Sequence, residues 1–270
     1  MNLIQAIILG ILQGATEFLP VSSSGHLVLV PWLLGWEPGS LAFDTMVHWG
    51  TMLAVLAYFW RDWLRLLQGG WRMLRRRDVS DAEGRLLLLV IVATLPAAII
   101  GFFLEGFFES LFANPPMTAA FLLATAALLV VAERLGNPAR QIDSVRWADA
   151  LIVGVAQAAA ILPGVSRSGA TIASGLWRGL QRDAAARFSF LMATPIIFGA
   201  GAKQLLDLAS AGGLAAEAGP MLAGFLSAAV VGYACIWWLM DYLKRQRLYV
   251  FAVYCAAFGV FCLVVTLARS

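Results

Sequence analysis

The amino-acid sequence predicts an all-α polytopic membrane protein with six transmembrane helices and two re-entrant helical hairpins, arranged as an inverted-topology repeat. Three observations predict this fold. Of the 270 residues, 61% are hydrophobic and 13% are charged, whereas about a quarter of the residues of a soluble protein are charged. Apolar stretches recur from one end of the chain to the other, and one polar motif occurs twice. We therefore expect a single integral membrane domain over 1–270.

Six apolar stretches have the roughly 17 to 25 residues that a helix needs to cross a bilayer. They lie at 43–60, 85–105, 116–133, 187–206, 219–240 and 249–268. Two further stretches, 1–36 and 148–180, are apolar but are interrupted by proline, glycine and polar residues. This pattern is typical of two half-helices joined by a turn, so we expect each stretch to form a re-entrant hairpin.

Most of the 19 Lys and Arg residues fall on one side of these predicted spans, provided that each hairpin returns to the face it entered. The basic connections are 61–85, 134–147, 178–187 and 241–248. The opposite loops, which contain no Lys or Arg, are near 106–115 and 207–218. Because basic residues favour the cytoplasmic side, we expect both termini outside. The first hairpin then enters from outside and the second from inside.

An internal repeat supports this topology. Residues 10–25, GILQGATEFLPVSSSG, align without a gap with residues 154–169, GVAQAAAILPGVSRSG. The residues with an identical partner are Gly10, Gln13, Ala15, Val21, Ser22, Ser24 and Gly25. Since the arginines give the two copies opposite orientations, we predict an inverted repeat with halves near 1–140 and 141–270. In such repeats, broken helices meet near the midplane and form the functional site.

The two copies differ at positions that carry chemistry. Glu17 corresponds to Ile161, Ser23 to Arg167, and His26 to Ala170. Ionisable side chains inside a membrane segment are candidates for function. Gln13 lies one helical turn before Glu17, so both side chains face the same space and could orient a metal ion or water. We expect one asymmetric site, with a carboxylate, hydroxyls and an imidazole from the first copy and a guanidinium from the second.

The surroundings of Arg167 predict an anion site. Ser166, Ser168 and Gly169 flank it at the start of a half-helix, where forked donors, hydroxyls and free backbone N–H groups suit a phosphate. Structural roles stay open: a motif serine can cap the next half-helix, and Arg167 can simply pair with Glu17. The role of His48 is equally open.

Several classes of soluble enzyme are excluded because their sequence motifs are absent or incomplete. GVSRSGAT has the glycine spacing of a phosphate-binding loop but lacks its lysine and strand context, and HExxH does not occur. A Ser-His-Asp triad of the soluble type would require a water-facing pocket, and its parts cannot be assembled around the two histidines of this apolar chain. A secondary transporter or lipid flippase stays open, because inverted repeats are common in transporters. A structural membrane scaffold is the third alternative.

TEFLPVSSSGH together with PGVSRSGAT resembles the paired signature of the undecaprenyl-diphosphate phosphatase family (BacA/UppP, the bacitracin-resistance family) of bacterial inner-membrane proteins. The resemblance covers nearly the whole chain. It implies hydrolysis of undecaprenyl diphosphate to undecaprenyl phosphate and inorganic phosphate, which recycles the lipid carrier of peptidoglycan synthesis. It also implies a divalent cation, Mg²⁺ or Ca²⁺, a polyprenyl diphosphate lipid as substrate, and a site open toward the periplasm. Homodimer formation stays open.

The resemblance implies that Glu17, Ser23, His26 and Arg167 are catalytic. Gln13 stands where relatives often have a second glutamate, so Glu17 and Gln13 are the expected metal contacts, directly or through water. The expected diphosphate contacts are Ser22, Ser24, Gly25, Ser166, Arg167, Ser168, Gly169 and Thr171. We expect Ser23 to be the nucleophile, activated through His26. A water molecule oriented by Glu17 is the rival nucleophile.

Overall fold

The computed structural model describes residues 1–77, 80–211 and 218–269, and within these ranges the chain is helical with no β-strand. The α-helices are α1 (Leu3–Phe18), α2 (Ser23–Leu34), α3 (Leu41–Tyr58), α4 (Trp60–Arg76), α5 (Ala82–Phe103), α6 (Glu105–Phe112), α7 (Pro115–Leu135), α8 (Trp147–Ala159), α9 (Arg167–Trp177), α10 (Arg182–Ala211), α11 (Ala218–Tyr242) and α12 (Tyr249–Arg269). A short 3₁₀ turn, Ile142–Ser144, precedes α8.

Five of these helices are long and apolar enough to cross a membrane, counted over the described residues. They are α5, α7, α10 as far as Gln204, α11 and α12, so the protein is a multi-pass membrane protein. The sixth predicted span, 43–60, corresponds to α3, which is not among the five. Asp44 and His48 interrupt its apolar sequence, and this is why α3 falls short on composition.

Each predicted hairpin is two helices joined by a turn. Helix α1 ends at Phe18, shortly before Pro20, and α2 begins after a cap at Ser22. Helix α8 ends at Ala159, and α9 begins after a cap at Ser166. The two-helix part of the prediction is confirmed, and re-entry from one side of the membrane stays a prediction.

Two connections predicted as loops contain helices. The basic connection 61–85 includes most of α4, and the connection near 106–115 includes most of α6. In α4, apolar residues recur every three or four positions between the arginines, which is the spacing of an amphipathic helix. Part of the predicted loop 207–218, namely 212–217, lies outside the described residues.

Close backbone packing fixes the first helix of each hairpin. A Cβ atom on Gly10 of α1 would lie 2.4 Å from the carbonyl oxygen of Gly224 in α11, and a Cβ atom on Gly154 of α8 would lie 2.5 Å from that of Ala93 in α5. Real Cβ atoms do not approach that closely, so glycine is what allows these helices to touch. The turn at the end of each helix is therefore held on a rigid support.

Candidate active site

The turns of the two hairpins lie against each other. The Ser168 hydroxyl donates to the carbonyl oxygen of Leu19 at 3.1 Å. A Cβ atom on Gly25 would lie 3.2 Å from the Cα atom of Gly164. This contact joins residues about 150 positions apart in the chain and places the polar motif of each copy beside the other.

Glu17 is the centre of the polar cluster formed there, and its side chain is buried. Arg167 donates from Nη2 to Glu17 Oε1. The other carboxylate oxygen, Oε2, accepts from Gln13 Nε2 at 2.9 Å and from the Ser23 hydroxyl at 2.5 Å. The structure thus brings together four of the predicted residues around one carboxylate.

Two polar atoms of this cluster have no hydrogen-bond partner among the described residues. They are the second terminal nitrogen of Arg167, Nη1, and the amide oxygen of Gln13, Oε1, and both are buried. A buried polar atom without a partner costs about 1 to 3 kcal/mol. The cluster therefore offers one free donor and one free acceptor beside Glu17, which is the arrangement expected of a site for a polar ligand.

Ser22 and Ser166, which directly precede Ser23 and Arg167, cap helices α2 and α9 in the same way. Ser22 Oγ accepts from the backbone N–H of Gly25 at 3.2 Å, and its repeat partner Ser166 accepts from that of Gly169 at 3.0 Å. The hydroxyls of Ser22 and Ser24 are 3.3 Å apart, and those of Ser166 and Ser168 are 3.2 Å apart. These capping roles leave the first residue of each helix, Ser23 or Arg167, to face the cluster.

The helix starts also contribute electrostatically. The N-terminus of a helix carries a partial positive charge and free N–H groups, so it favours anions. Ser22 has a φ of 71°, a left-handed conformation that is rare for a residue with a side chain and recurs at functional sites. The sharp turn before α2 places Ser23 beside Glu17, where its hydroxyl donates to Oε2.

His26 does not reach Ser23. Its ring is buried, with Nδ1 2.7 Å from the carbonyl oxygen of Ser22 and Nε2 2.7 Å from the hydroxyl of Tyr254. The ring also stacks on Phe258, with ring centroids 4.9 Å apart. Both ring nitrogens are thus occupied and the Ser23 hydroxyl bonds to Glu17 instead, so this geometry does not support the expected activation of Ser23 through His26. A catalytic role of His26 stays a prediction.

Thr171 also lies away from the cluster. Its hydroxyl contacts the carbonyl oxygen of Arg167 at 2.8 Å and the hydroxyl of Ser189 at 2.6 Å, and the residue is buried. It supports the first turn of α9 instead of facing the free atoms near Glu17. Its expected contact with diphosphate stays a prediction.

Two residues outside the repeated motif contribute to the site. His48 Nε2 lies 3.9 Å from Glu17 Oε2, while its Nδ1 is 2.7 Å from the carbonyl oxygen of Asp44. Thr125 of α7 accepts from the backbone N–H of Ser166 at 2.9 Å. The signal for His48 was an ionisable residue inside a predicted span. Nothing local marked Thr125, whose contact depends on how α7 packs.

The residues around Glu17 suit a divalent cation that binds together with a phosphate group. Within the described residues, no three His, Cys, Asp or Glu side chains are grouped so that they could hold a metal ion. The cluster offers oxygen atoms: the Glu17 carboxylate, the free Gln13 Oε1 and the Ser23 hydroxyl. Oxygen ligands suit Mg²⁺ and Ca²⁺, and Mg²⁺ is commonly held by one or two carboxylates together with substrate phosphates.

Comparison with known proteins gives one family. Residues 6–261 match the family model described as Bacitracin resistance protein BacA. The undecaprenyl-diphosphatase of Desulforudis audaxviator is 45% identical over 270 residues, which cover 100% of both chains. That of Rubrobacter xylanophilus is 47% identical over 257 residues, or 94% of each chain. That of Methanosphaera stadtmanae is 43% identical over 276 aligned positions, covering 98% of this chain and 99% of the relative.

Proposed function

The chain belongs to the bacitracin resistance protein BacA family, and we propose that it hydrolyses undecaprenyl diphosphate to undecaprenyl phosphate and inorganic phosphate. It is then a membrane hydrolase acting on a phosphoanhydride, and its product is the lipid carrier that peptidoglycan synthesis reuses. Its substrate is a polyprenyl diphosphate lipid, which accounts for a polar cluster inside an apolar chain.

This proposal rests on the guanidinium of Arg167, whose two terminal nitrogens have different surroundings. One terminal nitrogen binds Glu17, and the other is buried without a partner. A phosphate oxygen would satisfy that free donor, and the N-termini of α2 and α9 add further positive potential. Phosphoryl transfer depends on neutralising charge on the phosphate oxygens and on holding the nucleophile in line. Arg167 supplies the first requirement, and Ser23 lies beside it for the second.

We assign the nucleophile to Ser23 and its base to Glu17, because the Ser23 hydroxyl donates to the Glu17 carboxylate at 2.5 Å. Oγ attacks the terminal phosphorus, the bond to the bridging oxygen breaks, and undecaprenyl phosphate leaves. Glu17 takes the hydroxyl proton and passes it to the departing phosphate. Glu17 then takes a proton from water, whose oxygen bonds to the phosphorus of the phosphoserine; the bond from phosphorus to Oγ breaks, inorganic phosphate leaves, and Glu17 returns that proton to Ser23 Oγ. In the rival route, Glu17 directs water to the phosphorus without a phosphoserine.

We propose that Glu17, Gln13 and the diphosphate together hold a divalent cation, Mg²⁺ or Ca²⁺. Such an ion supplies positive charge to the phosphate oxygens when bound. A single carboxylate with an amide oxygen is a weak set of ligands, so the cation is expected to bind tightly only with substrate.

The proposed topology has α3 as the sixth span and the α1–α2 and α8–α9 hairpins as re-entrant elements of an inverted repeat. Matched caps at Ser22 and Ser166 support it. So does the crossed packing in which α1 contacts α11 of the other half and α8 contacts α5. The distribution of arginines favours both termini facing the periplasm. An inner-membrane location and a site open toward the periplasm are what the family resemblance implies.

The test is phosphate release from undecaprenyl diphosphate by the purified protein in detergent, with Mg²⁺, Ca²⁺ or EDTA. We expect metal-dependent release that falls about 10²- to 10⁴-fold in Glu17→Gln, because the base is lost. Arg167→Lys keeps the charge but loses the fork, so it should also be impaired. Folding of each variant is checked by its elution profile and unfolding temperature.

The transporter alternative gives a different result in the same experiment. A folded wild-type protein that releases no phosphate with any cation, yet moves the lipid across vesicles, would be a flippase. A scaffold would instead show that Arg167→Lys chiefly lowers the unfolding temperature. Either result would contradict the phosphatase assignment.

A further inference from the structure

Helix α4 (Trp60–Arg76) has three distinct faces when its residues are placed at about 100° intervals around the axis. One face packs against the protein and contains the buried residues Leu66, Gly69 and Gly70. A second face is an exposed apolar stripe formed by Trp60, Leu64, Leu67, Trp71 and Leu74. The third face, directly beside that stripe, is basic and is formed by Arg61, Arg65, Arg72, Arg75 and Arg76.

The packing of α4 on α5 fixes which way these faces point. A Cβ atom on Gly69 would lie 2.5 Å from the backbone nitrogen of Gly84, and one on Gly84 would lie 2.8 Å from the carbonyl oxygen of Gly69. Arg72 also donates to Asp81 at 2.7 Å, and this bond lowers the pKa of the Asp81 carboxyl to about 2. The two helices are held together at neutral pH, so the apolar stripe cannot rotate inward.

The basic face retains cations for which the described residues provide no salt-bridge partner. The salt bridges of the described residues include Arg72 but not Arg61, Arg75 or Arg76. Arg65 lines a cavity of about 160 Å³ together with the acidic residues Asp62 and Glu83. Three guanidinium groups therefore remain beside the apolar stripe, one of them 5.2 Å from the ring of Trp60.

We propose that α4 lies in the membrane interface and that Arg61, Arg75 and Arg76 bind the phosphates of anionic phospholipids. The apolar stripe is buried among the acyl chains beneath those headgroups. An amphipathic helix with tryptophan and leucine on one face and arginine on the next suits this position. Arginine binds phosphate through paired donors, and each basic residue near an anionic surface adds about 1 kcal/mol. The occupant is a phospholipid of the leaflet on the basic side of the protein.

The test measures binding of a fluorescent short-chain phosphatidylglycerol, and of the matching phosphatidylcholine, to the full-length protein in detergent. The triple variant R61Q/R75Q/R76Q should bind phosphatidylglycerol on the order of a hundredfold more weakly. The matched control K244Q/R245Q/R247Q removes the same number of positive charges from an exposed turn between α11 and α12 on the same predicted side, where Lys244 pairs with Asp241. It should stay within about threefold of wild type, because the site is on α4.

Three outcomes would overturn the proposal. Equal weakening in both triple variants would mean that net charge, and not α4, attracts the lipid. Equal affinity of the wild type for the two lipids would mean that the arginines do not select an anionic headgroup. A change from dimer to monomer in L67Q/L74Q would show that the stripe contacts a second copy of the chain.

Discussion

The Glu17 carboxylate depends on its partners for stabilisation, because a carboxylate without partners at membrane depth would cost free energy. Arg167 neutralises its charge through Oε1, and Gln13 and Ser23 satisfy Oε2. Replacing Glu17 by an apolar residue, as the second copy does with Ile161, would leave Arg167 unpaired. A bound diphosphate would give Arg167 a second anionic partner, since a phosphate oxygen can accept from the free Nη1. Arg167 can thus hold Glu17 through Nη2 and a phosphate oxygen through Nη1 at the same time.

Ser23→Ala is the residue change that separates a serine nucleophile from a water nucleophile. We expect turnover to fall by at least about 10³-fold with the substrate KM nearly unchanged, since Arg167 and the helix N-termini remain. Steady-state phosphate release provides the measurement. Rapid quenching of the wild type should also trap phosphate on Ser23, which mass spectrometry can locate.

Ser227→Ala is the control, because that hydroxyl donates to the carbonyl oxygen of Ala223 within α11 and does not touch Glu17. It should keep turnover within about tenfold of wild type. If Ser23→Ala retains near-normal turnover and no phosphoserine is trapped, Glu17-directed water is the nucleophile.

The sequence was sufficient to predict that Gln13, Ser23 and Arg167 meet at Glu17, but not that His26 bonds to Tyr254 instead. Gln13 and Glu17 share a face because they are four residues apart, and Arg167 was placed beside them by the repeat. Tyr254, which bonds His26 from 228 residues away, depends on the packing of α12 against α2. No local pattern could have predicted that contact.

At the level of elements, the site depends on two sharp turns that need specific backbone conformations. Gly164, in the turn before α9, has a φ of 96°. A Cβ atom there would lie 2.2 Å from the carbonyl oxygen of Thr118 in α7. The carbonyl of Gly164 also accepts from Thr125 at 3.0 Å, so α7 is the support on which the second turn rests.

Gly164→Ala should therefore destabilise the protein and displace the turn that carries Arg167. The left-handed backbone costs about 1 to 2 kcal/mol for a residue with a Cβ atom, and the clash with α7 adds to it. We expect an unfolding temperature several degrees lower and reduced turnover of the folded fraction, measured by thermal unfolding in detergent and by phosphate release.

Gly199→Ala is the control within α10, where an added Cβ atom meets nothing within 4 Å. It should leave stability unchanged or slightly higher, because alanine favours a helix over glycine by roughly 1 kcal/mol. Equal unfolding temperatures for the two variants would show that the conformation of Gly164 is not required.

Helix α4 shows why an element can be missed even when its pattern is present. The arginines of 61–85 were interpreted as a loop because basic residues mark the cytoplasmic side. The apolar residues between them follow the spacing of a helix, from Trp60 to Leu74. The assignment of these arginines to one side of the membrane stays a prediction, and the attention to charge concealed the secondary structure. A test for helical periodicity within basic connections would have found α4.

For the whole molecule, the decisive question is whether α3 crosses the membrane, because the orientation of every later element depends on it. One of its polar residues lies at the site: His48 Nε2 is 3.9 Å from Glu17 Oε2, and its Nδ1 is 2.7 Å from the backbone carbonyl oxygen of Asp44. A helix that lines a polar site can be less apolar than one that faces lipid only. We therefore predict that α3 spans the bilayer although five other helices are the more apolar ones among the described residues.

Cysteine labelling in spheroplasts tests this prediction. Single cysteines at the exposed positions Glu37, Arg76 and Gln141 are introduced after Cys235, Cys255 and Cys262 are replaced by alanine. A membrane-impermeant maleimide should label the cysteine at position 37 in intact spheroplasts, and those at 76 and 141 only after permeabilisation. Positions 37 and 141 adjoin the two hairpins, so their opposite labelling would mean that the hairpins start from opposite sides, as an inverted repeat requires. Labelling of 37 and 76 from the same side would instead mean that α3 does not span, and the two turns could not then meet as halves of an inverted repeat.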